Sequence, residues 1–155
     1  MDAGEEKALA DIETYGCHVI HVLEDDDGPP FTYSVGVQES SDVPEVIVIG
    51  LKQPIAHFVV NEYNNRVRAG ERFAAGARYD GFLAGFRVQF EVVTPDHFDD
   101  YMGWARWFYG GNTFEAFQII YPTTDGIWPW EPGASESFKE RQPILCDRVR
   151  KGGLT

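Results

Sequence analysis

The chain has 155 residues, the size of one ordinary domain, and 43% of them are apolar. No apolar run approaches the roughly 20 residues that a membrane-spanning helix needs. The acidic first residues do not resemble a secretory or import signal. The formal net charge is −12, which argues against a nucleic-acid surface and against binding to anionic membranes. These features predict a single cytoplasmic domain over residues 1–155, with its core over about residues 5–145.

Hydrophobic periodicity predicts the elements of the first half of the chain. A helix over Glu5–Tyr15 ends at Gly16, and a polar loop over Gln38–Pro44 separates two strands. The predicted strands of this half are Cys17–Leu23, Phe31–Val37 and Glu45–Leu51. The last is nearly all apolar, which is typical of a central strand covered on both faces. A second helix over Pro54–Arg68 carries an apolar stripe made of Ile55, Phe58, Val59, Tyr63 and Val67. Gly36, in the interior of a strand, predicts a close contact at that position.

The second half predicts two or three further strands and one further helix. Residues 72–85 indicate turns with one short strand. Alternation predicts a half-buried strand over Phe86–Val92, with Phe86, Val88, Phe90 and Val92 facing the core. Thr94 caps a helix whose apolar residues extend to Phe108, and Phe114–Tyr121 is another strand. The residues from Pro132 predict a polar segment that is loosely held until Pro143–Leu145.

This order of elements predicts an α+β fold. The sheet is mixed or mostly antiparallel, with about five to six strands, and three helices pack on one of its faces. The first three strands are joined by short connections, so they are predicted to be antiparallel neighbours.

No motif in the sequence indicates a reaction. His18 and His21 lie three apart on a predicted strand, so their side chains point to opposite faces and cannot bind one metal ion together. Cys17 and Cys146 form no CxxC pair and are predicted to be free thiols. No glycine-rich phosphate loop and no zinc or calcium spacing is present. We therefore predict no catalytic residues, no metal site and no cofactor.

The candidate binding residues are aromatic. Trp104 and Trp107 lie toward the edge of their helix, where their indoles are candidates for exposure. Trp128 and Trp130 flank a proline in the segment Asp125–Glu131. Two interpretations of this segment stay open: a binding platform with exposed indoles, or a corner that closes the core, which the large apolar area of each indole favours.

Several of these segments, in order along the chain, resemble one bacterial family, the domain of unknown function 4262. The segments that carry the resemblance are residues 11–13, 15–19, 28–37, 44–51 and 125–130. The family commonly has tryptophan where this chain has Cys17. The resemblance implies a small soluble bacterial protein and carries no catalytic residues with it. It also groups two turn segments, residues 28–31 and 126–130, which we predict to lie at one end of the sheet. From them we predict a pocket formed by His18, Tyr33, Trp128 and Trp130 with Asp125 beside it.

Three functions remain as hypotheses. The first is a non-catalytic protein-binding domain, most concretely an immunity or antitoxin-type protein that neutralises a basic bacterial toxin, because an acidic face attracts a basic partner. The second is a small enzyme or small-ligand-binding protein with a pocket near the end of the sheet. The third is a self-associating structural protein, and the oligomeric state is not predicted.

Overall fold

The computed structural model describes residues 2–147 and 149. The strands are β1 His18–Val22, β2 Phe31–Val35, β3 Glu45–Ile49, β4 Arg78–Leu83, β5 Phe86–Val92 and β6 Ala116–Ile120. The α-helices are α1 Ala3–Tyr15, α2 Val37–Ser41, α3 Gln53–Arg68, α4 Phe98–Tyr101, α5 Gly103–Tyr109 and α6 Glu136–Arg141, with a 3-10 turn Pro95–His97 before α4.

The six strands form one mixed sheet in the order β1-β2-β3-β6-β5-β4. β1, β2 and β3 are successive antiparallel neighbours, β3 pairs with β6 in parallel, and β6, β5 and β4 are again antiparallel. This arrangement confirms the predicted α+β class, the mixed sheet and the pairing of the first three strands.

Both faces of the sheet are covered, which corrects the prediction that helices cover one face. Side chains of β3 alternate between two apolar clusters. Val46 and Val48 pack in the cluster that contains the buried face of α3. Ile47 and Ile49 pack in a second cluster with residues of α4 and α5. Every residue of β3 is buried, as predicted for a central strand between two layers.

The end of β2 is fixed by Gly36. Its φ of 101° is left-handed, and a Cβ at this position would lie 2.7 Å from the Ile12 side chain of α1. The predicted close contact is confirmed.

The predicted loop over Gln38–Pro44 is wrong in its first part, because α2 begins at Val37. The carboxylate of Glu45, which is fully buried, takes the place of a cap for this helix. It accepts hydrogen bonds from the backbone N–H groups of Gly36 (3.0 Å), Val37 (3.1 Å) and Gln38 (3.0 Å) and from the hydroxyls of Ser34 (2.7 Å) and Tyr109. Burial raises the pKa of Glu45, while these donors oppose the shift.

The single helix predicted from Thr94 is interrupted. Met102, fully buried, has φ −129° and ψ 46° and separates α4 from α5. Because of the break, the N–H of Trp104 at the start of α5 has no acceptor within a continuous helix. It donates a hydrogen bond to the Tyr33 hydroxyl oxygen, with an N···O distance of 3.0 Å. Thr94 makes no side-chain cap, since its hydroxyl accepts instead from the N–H of Asp147 at 3.0 Å.

The alternation predicted for β5 holds for only part of the strand. Val88 and Phe90 are buried as predicted, but Val92 is 47% exposed. Gln89 and Glu91, predicted to face solvent, are also buried. The Gln89 side chain accepts from Arg78 Nε at 3.0 Å and donates to Glu91. A second layer therefore covers this face of the strand.

That second layer includes residues of the tail that was predicted to be loosely held. The Gln142 side chain donates to Tyr121 O (2.9 Å) and accepts from Tyr121 N (3.0 Å). The Gln118 side chain accepts from Leu145 N at 2.8 Å. Leu145 and Cys146 are buried, so these hydrogen bonds anchor the segment after α6 to β6. The prediction of a loosely held segment is corrected for Gln142, whereas the burial of Leu145 agrees with the predicted end of that segment.

The two cysteines are free and buried. Burial raises the pKa of the Cys17 thiol to about 12, so this thiol is protonated at neutral pH and is a weak nucleophile.

Candidate functional site

The residues predicted to bind fall into two groups in the structure. The first group comprises His18, Tyr33, Trp104 and Trp107 around β1, β2 and α5. Tyr33 is only 2% exposed, and burial raises its pKa to about 12, so it is a core residue. The Trp104 ring makes an edge contact with Trp107 at 5.6 Å and lies 6.2 Å from the His18 ring. Trp107 is 39% exposed.

The second group is the segment Asp125–Glu131. Asp125 is exposed in a turn, whereas Trp128 is 7% exposed and is part of the core. The Trp128 and Trp130 rings are stacked 5.5 Å apart, and the Arg78 guanidinium lies 4.2 Å from the Trp128 ring. The burial of Trp128 agrees with the corner interpretation. Trp130 is half-buried and lines a cavity.

The two groups do not meet in one pocket. Trp128 packs on Arg78 of β4, and Tyr33 is on β2. Four strand spacings of about 4.8 Å separate these strands by about 19 Å. The cavity beside Trp130 includes neither His18 nor Tyr33. The predicted pocket of His18, Tyr33, Trp128 and Trp130 is therefore not formed in the described part of the chain.

A cleft of about 600 Å³, lined by both polar and apolar side chains, lies between α4, Trp130 and the segment after α6. We call it the polar cleft because charged and imidazole side chains border it. Residues that line it include His97, Asp100, Tyr101, Trp130, Lys139 and Leu145. His97 Nε2 lies 3.2 Å from Asp147 Oδ1. Such a pair fixes the orientation of an imidazole. A cavity of about 390 Å³ shares Asp100 and Tyr101 with the cleft and is bordered by Gly28, Pro29 and Phe31. The two turn segments that the family resemblance groups together, residues 28–31 and 126–130, therefore line two neighbouring cavities that share Tyr101.

An apolar groove of about 860 Å³ lies at the end of the sheet where β3 and β6 terminate. It is formed by the N-terminal half of α3, the β4–β5 hairpin, the residues after β6 and one residue of α6. The lining residues are Leu51, Pro54, Ile55, Phe58, Phe82, Leu83, Ala84, Phe86, Tyr121, Pro122, Thr123, Thr124 and Phe138. We call this feature the α3 groove. Two of its side chains are unusually open to solvent, Ile55 at 43% and Phe58 at 53% exposure.

Ile55 and Phe58 were assigned to the core in the sequence prediction, and this assignment is wrong. The buried face of α3 is made of Ala56, Val59, Val60, Tyr63, Asn64 and Val67. These residues already give a complete stripe with spacings of three and four. The signal for an exposed site was present in the sequence, because the two further apolar residues make the apolar arc of α3 wider than one core contact requires.

Neither a metal cluster nor a membrane span is found in residues 2–147 and 149. No group of three or more His, Cys, Asp and Glu side chains there is placed to hold a metal ion. No helix in this part of the chain is both long and apolar enough to cross a membrane.

Fold and surface together define a small α+β domain with an apolar groove at one end of a six-stranded sheet. The chain belongs to the family described as "Domain of unknown function (DUF4262)", whose sequence profile matches residues 11–135. No curated protein and no solved structure matches the chain. The family match covers every residue of the α3 groove except Phe138, and it ends before Lys139 and Leu145 of the polar cleft.

Proposed function

We propose that this chain is a protein-binding domain whose docking surface is the α3 groove. The occupant is an apolar segment of a basic protein partner. The observation that carries the proposal is the exposure of Phe58 and Ile55 at the opening of a groove whose lining is almost entirely apolar. Keeping such side chains in water is unfavourable, and contiguous exposed apolar surface is typical of protein interaction sites.

The shape of the α3 groove supports an extended or helical segment as its occupant. One wall is a helix and the opposite wall is a β-hairpin, so an elongated apolar segment can lie between them. Aromatic residues at the centre of such a surface contribute most of the binding free energy. Phe58, in the helical wall, has the required size and exposure.

The charge of the chain favours a basic partner. With a net charge of −12, the protein attracts a positively charged protein over long range and raises its rate of association. A partner that is both basic and toxic to its own cell fits this chemistry. Our more specific proposal is therefore an immunity or antitoxin-type protein in the bacterial cytoplasm that covers part of a basic toxin.

The test uses the product of the adjoining gene where that product is a basic, toxin-like protein. We expect titration calorimetry to give nanomolar binding that weakens as salt is raised, because salt screens the attraction between the two proteins. Phe58→Ser is expected to weaken binding about 30-fold, the effect of losing a central aromatic residue. It should leave the unfolding midpoint unchanged, since this side chain is half exposed.

Trp107→Ser is the matched control, since Trp107 is also a half-exposed aromatic residue on a helix but lies outside the α3 groove. The affinity of the Trp107→Ser variant for the partner is expected to equal that of the parent protein. Equal losses in both variants would contradict the groove as the docking surface. An adjoining product that does not bind would contradict the toxin-neutralising role. A molecular mass that rises with concentration, and falls in Phe58→Ser, would make a second copy of the chain the occupant.

The polar cleft supports a second candidate function, the binding of a small polar ligand. His97, Asp100 and Lys139 converge on a cavity of about 600 Å³, a volume typical of small-molecule sites. We expect some small charged aromatic compounds to shift the NMR signals of Trp130 in a screen. Trp130→Ala is expected to abolish binding of those compounds. A screen in which no compound perturbs Trp130 would contradict this candidate.

A further inference from the structure

Two histidines, His21 of β1 and His57 of α3, face each other outside both candidate sites. His21 Nε2 lies 3.2 Å from His57 Nδ1. The two rings are nearly stacked, with centroids 5.3 Å apart and planes inclined by 29°. The two residues are 36 positions apart in the chain and belong to no sequence motif.

The spacing of these two nitrogens is that of a pair of ligands on one metal ion. Zinc–imidazole bonds are about 2.0–2.1 Å long, so two imidazole nitrogens on one tetrahedral zinc ion lie about 3.3 Å apart. The observed 3.2 Å matches this value without movement of the backbone. Neutral imidazole nitrogens suit zinc, copper and nickel ions, whereas magnesium and calcium require oxygen ligands.

Thr32 orients one of the two rings. His21 and Thr32 are directly opposite each other in the β1–β2 pairing, and His21 Nδ1 lies 2.9 Å from the Thr32 hydroxyl oxygen. Thr32 is 3% exposed, so this contact is fixed in the sheet. When His21 Nδ1–H donates to that oxygen, Nε2 presents its lone pair toward His57. Metal-binding histidines typically donate their other ring N–H in this way.

The remaining coordination positions open onto solvent. A cavity of about 590 Å³ is lined by His21, Gln53, Pro54 and His57, which leaves room for water ligands. For metal binding, the ring whose N–H lies between the two nitrogens moves that proton to its other nitrogen, and the exposed His57 side chain turns so that both lone pairs point at the ion.

We propose that His21 and His57 form a binding site for one divalent transition-metal ion, completed by water. Pro54 lines this cavity and the α3 groove alike, so the ion lies at the rim of the groove. The proposal rests on the geometry of the two rings and does not depend on the docking function of the groove.

The experiment uses tag-free, chelator-treated protein and Zn²⁺ as the probe. Titration calorimetry is expected to show one zinc ion per chain. His21→Ala and His57→Ala should each weaken binding at least tenfold, and Thr32→Val about tenfold through loss of the orienting hydroxyl. With Cu²⁺ as the probe, the electron paramagnetic resonance spectrum is expected to show two nitrogen ligands in the parent protein and one in His57→Ala.

His97→Ala provides the matched control, because His97 is a part-buried histidine that lies within 3.2 Å of a carboxylate. Its zinc affinity is expected to equal that of the parent. Circular dichroism of every variant checks that each is folded, and His57, which is exposed, is the position where substitution perturbs the fold least. Zinc binding that survives in His57→Ala, or that is lost in His97→Ala instead, overturns the proposal.

Discussion

Glu45→Ala is expected to lower the free energy of unfolding by about 4 kcal/mol, the largest stability change that we predict for a single residue. The Glu45 carboxylate accepts hydrogen bonds from three backbone N–H groups and two hydroxyls while fully buried. Alanine leaves these donors without an acceptor, and each unsatisfied buried donor costs about 1–3 kcal/mol. Chemical denaturation monitored by tryptophan fluorescence measures the change.

The loss is large compared with the about 5–15 kcal/mol by which a domain of this kind is stable. If Glu45→Ala does not fold, Ser34→Ala provides the measurement, because it removes one of the donors to Glu45 and is expected to cost about 1–2 kcal/mol. Glu115→Ala is the control. Glu115 is also a glutamate and lies beside Glu45, whose backbone N–H donates to the Glu115 carbonyl oxygen, but its side chain is exposed. The stability of this variant is expected to match that of the parent protein.

Glu45→Gln separates the carboxylate from the size of the side chain. The amide nitrogen of glutamine carries hydrogens, so it faces N–H or O–H donors wherever it replaces a carboxylate oxygen. We expect this variant to lose much of the same free energy. A Glu45→Gln protein as stable as the parent would show that the position needs only one acceptor, and it would contradict the role of the carboxylate as the cap of α2.

Trp128→Ala is expected to lower the free energy of unfolding by about 3–4 kcal/mol. The indole is 7% exposed, stacks on Trp130, and lies under the Arg78 guanidinium. Removing a buried tryptophan leaves a cavity and loses the transfer free energy of the whole ring. Thermal and chemical denaturation measure this change, and Trp128→Phe is expected to recover about half of it because it retains one aromatic ring.

Trp107→Ala is the control for the Trp128 series, because Trp107 is 39% exposed, whereas Trp128 is buried. Its effect is expected to be under about 1 kcal/mol. If Trp128→Ala kept the stability of the parent protein and lost only a binding partner, the segment Asp125–Glu131 would be a platform after all. A similar loss of unfolding free energy in both variants would show that the exposed fraction of an indole does not predict its contribution to stability.

Several parts of the fold follow from short stretches of sequence. α3 begins beside Pro54, because proline has the φ of a first helical turn and needs no N–H there. α1 ends at Gly16, whose φ is 89°, because glycine tolerates the left-handed conformation that ends a helix. The unbroken apolar run of β3 likewise predicts a strand that is covered on both sides. These signals depend on neighbouring residues alone, and the predicted elements that rest on them are confirmed.

Parts of the fold that depend on distant residues were not predictable in this way. Gln89 and Glu91 read as solvent-facing residues of an alternating strand, but Arg78 and the layer of residues around Trp128 cover them. The helix α2 was predicted as a loop because its cap is a carboxylate eight residues beyond its first residue. A single sequence does not show which segments will cover a strand or supply a cap, because those contacts are long-range.

The features of the candidate sites likewise fall into those set by nearby residues and those set by long-range contacts. The acidity of the chain, its α+β class, its family and the turn chemistry around Trp128 follow from the amino-acid sequence. The open groove beside Ile55 and Phe58, the separation of Trp128 from Tyr33 and the contact of His21 with His57 follow from the packing of the fold. The physical reason is that charge and local propensity are sums over nearby residues, whereas exposure and the meeting of two side chains depend on how the layers pack against the sheet.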